Sequence, residues 1–278
     1  MTRLFKRIFG VKKPIIGALH FIPMPGFEGF ETKECILDAA KRDLFALESG
    51  GADAIIVENN YDLPHKIKVG HETVAMMALL TSELMKHSKL PFGISVLWND
   101  YEAALTIAKA TGAKFVRVPV FVDNVRTAFG DIYAEPLKII EFRRKIKAED
   151  IAIFTDIHVK HAEMLETKSL AISAKQALEA GSDGIIITGK WTGDAPKMDD
   201  LKEARKTVGN FSIIIGSGAD KENVRHLLRI ADGVIVSTAL KEGMSGSKET
   251  ERNIKPYSAR IDINKIREFM DKVHDGKP

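Results

Sequence analysis

Short apolar runs recur along the chain, and each is followed by a longer stretch in which apolar positions return with helical spacing. Runs of this length, apolar on both faces and bounded by turn signals, mark strands of a parallel sheet covered on both sides. The runs read Pro14 to Leu19, Asp53 to Val57, Phe92 to Leu97, Lys114 to Val118, Ile151 to Thr155, Asp183 to Thr188, Phe211 to Ile215 and Asp232 to Val236. Their starts lie 39, 39, 22, 37, 32, 28 and 21 residues apart. The amphipathic stretches run from Lys33 to Ser49, Glu72 to His87, Tyr101 to Ala110, Glu135 to Lys147, Ser169 to Ala180, Asp199 to Thr207, Lys221 to Ile230 and Asn264 to Val273. Several stop at a glycine just before the next run, at Gly50, Gly112 and Gly181, as a helix does where the chain turns back to a parallel strand.

Eight strands alternating with eight helices, with no linker-like break between them, predict an α/β fold: one (β/α)8 TIM barrel domain spanning residues 1–278. A doubly wound open sheet is the alternative. It normally opens with a glycine-rich turn after its first strand, whereas Leu19 is followed by His20-Phe21-Ile22-Pro23-Met24-Pro25-Gly26.

Composition changes the picture only by exclusion. At 45% hydrophobic and 28% charged residues, the chain is neither disordered nor collagen-like. The balance of 41 basic and 38 acidic residues, net +3, gives no whole-surface preference for nucleic acid, so none is expected as a partner. A lone thiol, Cys35, makes neither an internal disulfide nor a cysteine zinc site, which fits a reducing compartment and a cytoplasmic protein. No apolar stretch approaches the ~20 residues of a membrane span, and no signal-peptide pattern opens the chain. Residues 1–13 are basic, with Leu4, Phe5, Ile8 and Phe9 at helical spacing. Two readings follow: a peripheral membrane contact, or, preferred, a short helix whose apolar side closes the bottom of the fold. A homo-oligomer is the usual expectation for such a protein.

In a barrel the active site gathers at the carboxyl-terminal strand ends. Here those ends carry His20, Glu58-Asn59-Asn60, Trp98-Asn99-Asp100, Arg117, Asp156-Ile157-His158-Val159-Lys160-His161, Thr188-Gly189-Lys190, Gly216-Ser217-Gly218 and Ser237-Thr238. The last two fall where barrels hold a phosphate, with glycines letting N–H groups approach an anion. Strand alternation predicts that Asp156 and His158 share the axial side, where an aspartate can orient an imidazole for acid/base work. Glu58, directly after a buried run, is expected to have its pKa raised by desolvation; a salt bridge to Arg117 or Lys160 is the structural alternative. His20 is the fourth catalytic candidate. Asn59, Asn99, Arg117, Lys160, His161, Thr188 and Gly189 are the substrate-binding candidates, and Gly216, Ser217, Gly218, Ser237 and Thr238 the phosphate-binding ones. No cofactor is firmly indicated; a divalent metal on Glu58, Asp156 and His158 is an alternative. Gly184 to Lys190 imitates a P-loop, but its four intervening residues belong to an apolar strand and Trp191 replaces the Ser/Thr that would hold magnesium.

Several segments together resemble the BtpA/SgcQ family: Lys13 to Gly26, Gly51 to Asn59, Val69 to Val74, Asp156 to Ala162, Thr188-Gly189 and Gly216-Ser217-Gly218. The resemblance implies a TIM barrel of the ribulose-phosphate-binding type and a predicted enzyme of unassigned reaction. The residues it matches are His20, Glu58, Asn59, Asp156, His158, Lys160 and His161. The family is named for a role in photosystem I accumulation and for a sugar-related bacterial gene cluster. The chain departs from the family pattern at Trp98 and Phe121, where an arginine and a histidine are expected. The leading functional expectation is an enzyme acting on a phosphorylated sugar-like or nucleoside-like compound. The competing one is a non-catalytic assembly or stabilisation factor for a membrane complex.

Overall fold

The computed structural model of the chain describes residues 1–243 and 258–274. Its strands are β1 (Ile15–His20), β2 (Ala54–Glu58), β3 (Phe92–Ser95), β4 (Phe115–Val118), β5 (Val125–Thr127), β6 (Gly130–Ile132), β7 (Ala152–Ile157), β8 (Ala162–Met164), β9 (Gly184–Ile187), β10 (Ile213–Ile215) and β11 (Gly233–Val236). Its helices are α1 (Arg3–Phe9), α2 (Lys33–Ser49), α3 (His71–Met85), α4 (Tyr101–Thr111), α5 (Pro136–Lys145), α6 (Leu170–Glu179), α7 (Met198–Val208), α8 (Val224–Leu227) and α9 (Ile263–His274). Among the described residues, β1, β2, β3, β4, β7, β9, β10 and β11 pair in parallel, in that order, and close into the expected TIM barrel.

Side chains alternate across the barrel wall. Ile15, Leu19, Ile55, Val57, Ile153 and Ile157 join helix residues such as Leu44, Leu47 and Leu80 in the layer between sheet and helices. The opposite set, Ile16, Ile56, Phe115, Phe154, Ile186, Ile214 and Ile235, packs with Phe5 and Phe9 along the axis. Gly93 makes room there, because a Cβ on it would stand 2.1 Å from the Phe115 ring.

Helix α1 closes the bottom. Thr2 caps it by accepting from Phe5 N, and it stops at Gly10, whose φ of 66° is left-handed. The Phe5 ring lies 5.9 Å from Phe154, and Phe9 lies 5.5 Å from Phe115. Leu4 and Ile8 are half-buried against the same cluster. The apolar face of this segment is therefore occupied inside the protein, as the preferred reading of residues 1–13 expects.

Two further expectations are corrected. The helix expected over Lys221 to Ile230 shortens to Val224–Leu227, because Asp220 Oδ1 accepts from the N–H groups of Glu222 and Asn223 and offers that stretch a turn instead. A three-stranded antiparallel sheet, β6-β5-β8, stands on the loops after β4 and β7, where only loops were expected. Its Val125 and Ile132 pack with Trp98, Val120 and Val159. Trp98 thus serves packing at the mouth, and Phe121 is fully buried in the main core, so packing absorbs both departures from the family pattern.

Candidate active site

The barrel register pairs His20 with Glu58, Glu58 with Ser95 and Ser95 with Arg117. One level of the inner wall therefore turns polar above the apolar plug. Arg117 donates from Nε and Nη2 to the two oxygens of Asp156 at 2.9 and 2.8 Å, and from Nη1 to Glu58 Oε1 at 3.3 Å. The other Glu58 oxygen faces His20 Nε2 at 3.5 Å. On its far side, His20 Nδ1 lies 3.2 Å from Lys241 Nζ, which donates to the Tyr61 hydroxyl at 2.6 Å. Asp156, Arg117, Glu58, His20, Lys241 and Tyr61 form one chain of contacts, and every member is buried.

Burial sets the charges. It pulls His20 down to about 4, and the Lys241 charge adds to this, so the ring is neutral; Lys241 occupying Nδ1 as donor leaves Nε2 protonated toward Glu58. Lys241 itself is lowered to about 8, chiefly by burial. Burial would raise Glu58, but the hydrogen bond from His20 and the charges of Arg117 and Lys160 outweigh it and hold the carboxyl at about 2. The expected upward shift of Glu58 is therefore corrected: the salt bridge wins over desolvation. Arg117 is likewise pushed down by burial, but the carboxylates of Asp156 and Glu58 lift it above its ordinary value.

A pocket opens over this chain. It is lined by His20, Glu58, Arg117 and Lys160, and on the facing side by Gly216 to Asp220 and Ser237 to Ala239. Gly216 adjoins the cationic side, since a Cβ on it would stand 3.6 Å from Arg117 Nη2. Gly218 has φ 69°, and a Cβ there would meet the Asp194 carbonyl carbon at 2.0 Å, so the loop after β9 lies directly on the loop after β10. Ser217 fastens the two, with its hydroxyl accepting from Gly189 N and donating to Asp194 O. Ser237 lines the pocket, and its buried hydroxyl has no hydrogen-bond partner among the described residues.

The remaining candidates have local partners. Asn59 holds the backbone of Leu97 through both ends of its amide, and Asn99 does the same for Val120. Thr188 Oγ1 accepts from Lys160 N, and His161 Nε2 pairs with Thr192 Oγ1 at 2.7 Å. Strand alternation fails at His158: β7 has ended, the backbone is left-handed with φ 49°, and its N–H donates to Asp123. His158 does not line the pocket with Asp156's partners. The carboxylate–imidazole pair is instead Glu58 with His20, and Arg117 takes both oxygens of Asp156. Among the described residues no three His, Cys, Asp or Glu side chains gather as a metal would need, which removes Glu58, Asp156 and His158 as a ligand set. Sequence reasoning missed Lys241 and Tyr61, both fully buried against His20.

A parallel eight-stranded barrel carrying a paired ionic chain beneath its carboxyl-terminal mouth defines a TIM-barrel protein. Within that class, the chain belongs to the BtpA family, whose model matches residues 11–275. It is 37% identical over 236 residues to the photosystem I biogenesis protein BtpA of Synechocystis, covering 84% of this chain and 82% of that one. It is 36% identical over 245 residues to an uncharacterised protein of Archaeoglobus fulgidus, covering 88% and 98% of the two chains. The putative sgc region protein SgcQ of Escherichia coli is 30% identical over 274 residues, 97% of each chain. Among solved structures, the (S)-3-O-geranylgeranylglyceryl phosphate synthase of Thermoplasma acidophilum, in complex with sn-glycerol-1-phosphate, aligns with a TM-score of 0.61 over 99% of both chains at 14% identity. Phosphoribosyl anthranilate isomerase of Thermus thermophilus aligns with a TM-score of 0.57 over 95% of this chain and 100% of that one at 10% identity. At these identities the likeness is one of fold.

Proposed function

We propose that the protein is an enzyme acting on a phosphorylated, sugar-like or nucleoside-like small molecule held at the mouth of the barrel. One observation carries the reading: a pocket is walled on one side by His20, Glu58, Arg117 and Lys160, and on the other by the glycine-bearing loop after β10, Asp220 included, and the turn that follows β11. Glycines allow close approach of backbone N–H groups to an anion, and desolvated cations opposite them favour its charge. In this reading Gly216, Gly218, Ser237 and Thr238 hold the phosphate. Ser217 positions the loop through its two hydrogen bonds, and the unpartnered Ser237 hydroxyl gains an acceptor. His20 and Glu58 handle protons on the substrate, with Asp156 orienting Arg117. Several solved TIM barrels of the same fold carry phosphorylated compounds in their names, sn-glycerol-1-phosphate among them.

The test is thermal stabilisation by ribose 5-phosphate, ribose, inorganic phosphate and adenosine monophosphate. A ligand at 100 times its dissociation constant adds about 2.7 kcal/mol, which a melting curve resolves. The expected result is stabilisation by phosphorylated compounds alone, abolished by Ala239→Asp, which sets a carboxylate in the pocket lining. Equal responses to ribose and ribose 5-phosphate, or none to any compound, overturn the reading.

A further inference from the structure

Among the described residues, Lys160, Lys190 and Lys241 stand at or near the mouth, and their amines differ in what they touch. Lys241 is tied to Tyr61 and His20. Lys190 is exposed and lies over the Trp191 ring at 5.9 Å. Lys160 lines the pocket, and its amine makes no ion pair or hydrogen bond with any described residue. The carboxylates that would ordinarily neutralise it are already engaged, Asp156 by Arg117 and Glu58 by Arg117 and His20. Its backbone is anchored, with its N–H donating to Thr188 Oγ1 at 3.1 Å, between left-handed bends at His158 and His161. An anchored amine without a hydrogen-bond partner among the described residues, facing a pocket beside a guanidinium, is the arrangement that makes a lysine nucleophilic.

We propose that Lys160 is a nucleophile that forms a Schiff base with a carbonyl group of the phosphorylated substrate, which is therefore an open-chain aldehyde or ketone when it reacts. The proposal rests on the reading of the pocket given above. The free amine attacks the carbonyl carbon, forming a C–N bond as the C=O electron pair moves to oxygen. The oxygen is protonated and leaves as water, so that ammonium and carbonyl become a protonated imine and one water, with charge conserved. Burial first, and the Arg117 charge next, lower Lys160 to about 8, which supplies free amine near neutrality.

Pyridoxal 5′-phosphate is a suitable probe because it joins an aldehyde to a phosphate, and borohydride fixes its imine for peptide mapping. The expected result is label concentrated on Lys160, with a pH midpoint near 8, slowed by inorganic phosphate and lost in Lys160→Arg. Ribose 5-phosphate with borohydride is expected to add to the same residue. Label on Lys241 instead, or spread over exposed lysines such as Lys190, overturns the proposal. If the Arg variant fails to fold, the map of the unmodified sequence still decides. Stabilisation by sugar phosphates with Lys160 unlabelled removes the nucleophile and keeps the binding site. Label on Lys160 without any such stabilisation removes the phosphorylated substrate and keeps the nucleophile.

Discussion

Arg117 grips both oxygens of Asp156, at 2.9 and 2.8 Å, from the neighbouring barrel strand, and its remaining arm reaches Glu58 at 3.3 Å. The bidentate geometry is one that arginine alone supplies, and it compensates two buried carboxylates with one cation. Removing the guanidinium leaves Asp156 without its bidentate donor and Glu58 with His20 as its remaining close partner. Arg117→Met is expected to lose about 3–5 kcal/mol of stability, the range for breaking a buried pair on one side, measured by chemical denaturation. Arg117→Lys is expected to recover only part of it, because an ammonium cannot bind both Asp156 oxygens in the same plane. Equal stability of the Met variant would show that the pair does not hold the mouth together.

Acid is expected to weaken the fold well before the Glu58 carboxylate titrates. Burial lowers His20, His65 and His161 each to about 4, from an unfolded value of 6.5, so the unfolded chain binds more protons there. Their contribution is complete above pH 6.5 and is lost as pH falls toward 4. Asp62, raised by burial to about 6, and Asp43, also raised by burial, work the opposite way, but they are two groups against three. Glu58, held at about 2, adds its loss only below the ordinary carboxylate value of 4.5. Denaturation midpoints should therefore fall between pH 6.5 and 4 and fall again below it; a flat profile from 7 to 4 would contradict the buried, neutral histidines.

The N-terminal helix is expected to act as a plug. Phe5 is 0% exposed and meets Phe154 on the axis, so Phe5→Ala removes a large ring from a site that closes around it. The cost is about 3–5 kcal/mol for such a truncation. The basic residues around it remain, so co-sedimentation with anionic vesicles should be as weak for the folded variant as for the parent. Strong vesicle binding lost in Phe5→Ala, with unchanged stability, would favour a membrane role for this segment.

The barrel was legible because its strands are buried on both faces and its helices are not, which writes two different periods into the chain. The strand ends picked out His20 and Glu58 and alternation put Asp156 on the axial side, and each does belong to a strand as the chain leaves it. It misled at His158, one residue beyond β7, where a left-handed bend cancels parity. The β6-β5-β8 sheet escaped notice because three-residue strands carry no period. Lys241 was hidden for a different reason. It follows the single turn Thr238–Leu240, bridges to Ile261 and returns its amine to β1, a contact between residues 221 positions apart that no local pattern encodes.

That return contact gives a prediction about charge rather than stability. Lys241 Nζ stands 3.2 Å from His20 Nδ1, and its charge is the second cause, after burial, of the depressed imidazole pKa. Lys241→Met keeps the length and the apolar stem while removing the charge. The Glu58 carboxylate then acts on His20 without an opposing cation behind the ring, and an anion favours the protonated form. His20 is expected to titrate above about 4 in the variant, moving toward 6.5, as followed by the ring carbon resonances of a histidine-labelled sample. Tyr61 loses the donor that holds its hydroxyl at 2.6 Å, so Lys241→Met with Tyr61→Phe should add little to the single change. An unmoved His20 titration would mean that burial alone keeps the ring neutral, and that Lys241 serves the Tyr61 contact and not the pocket.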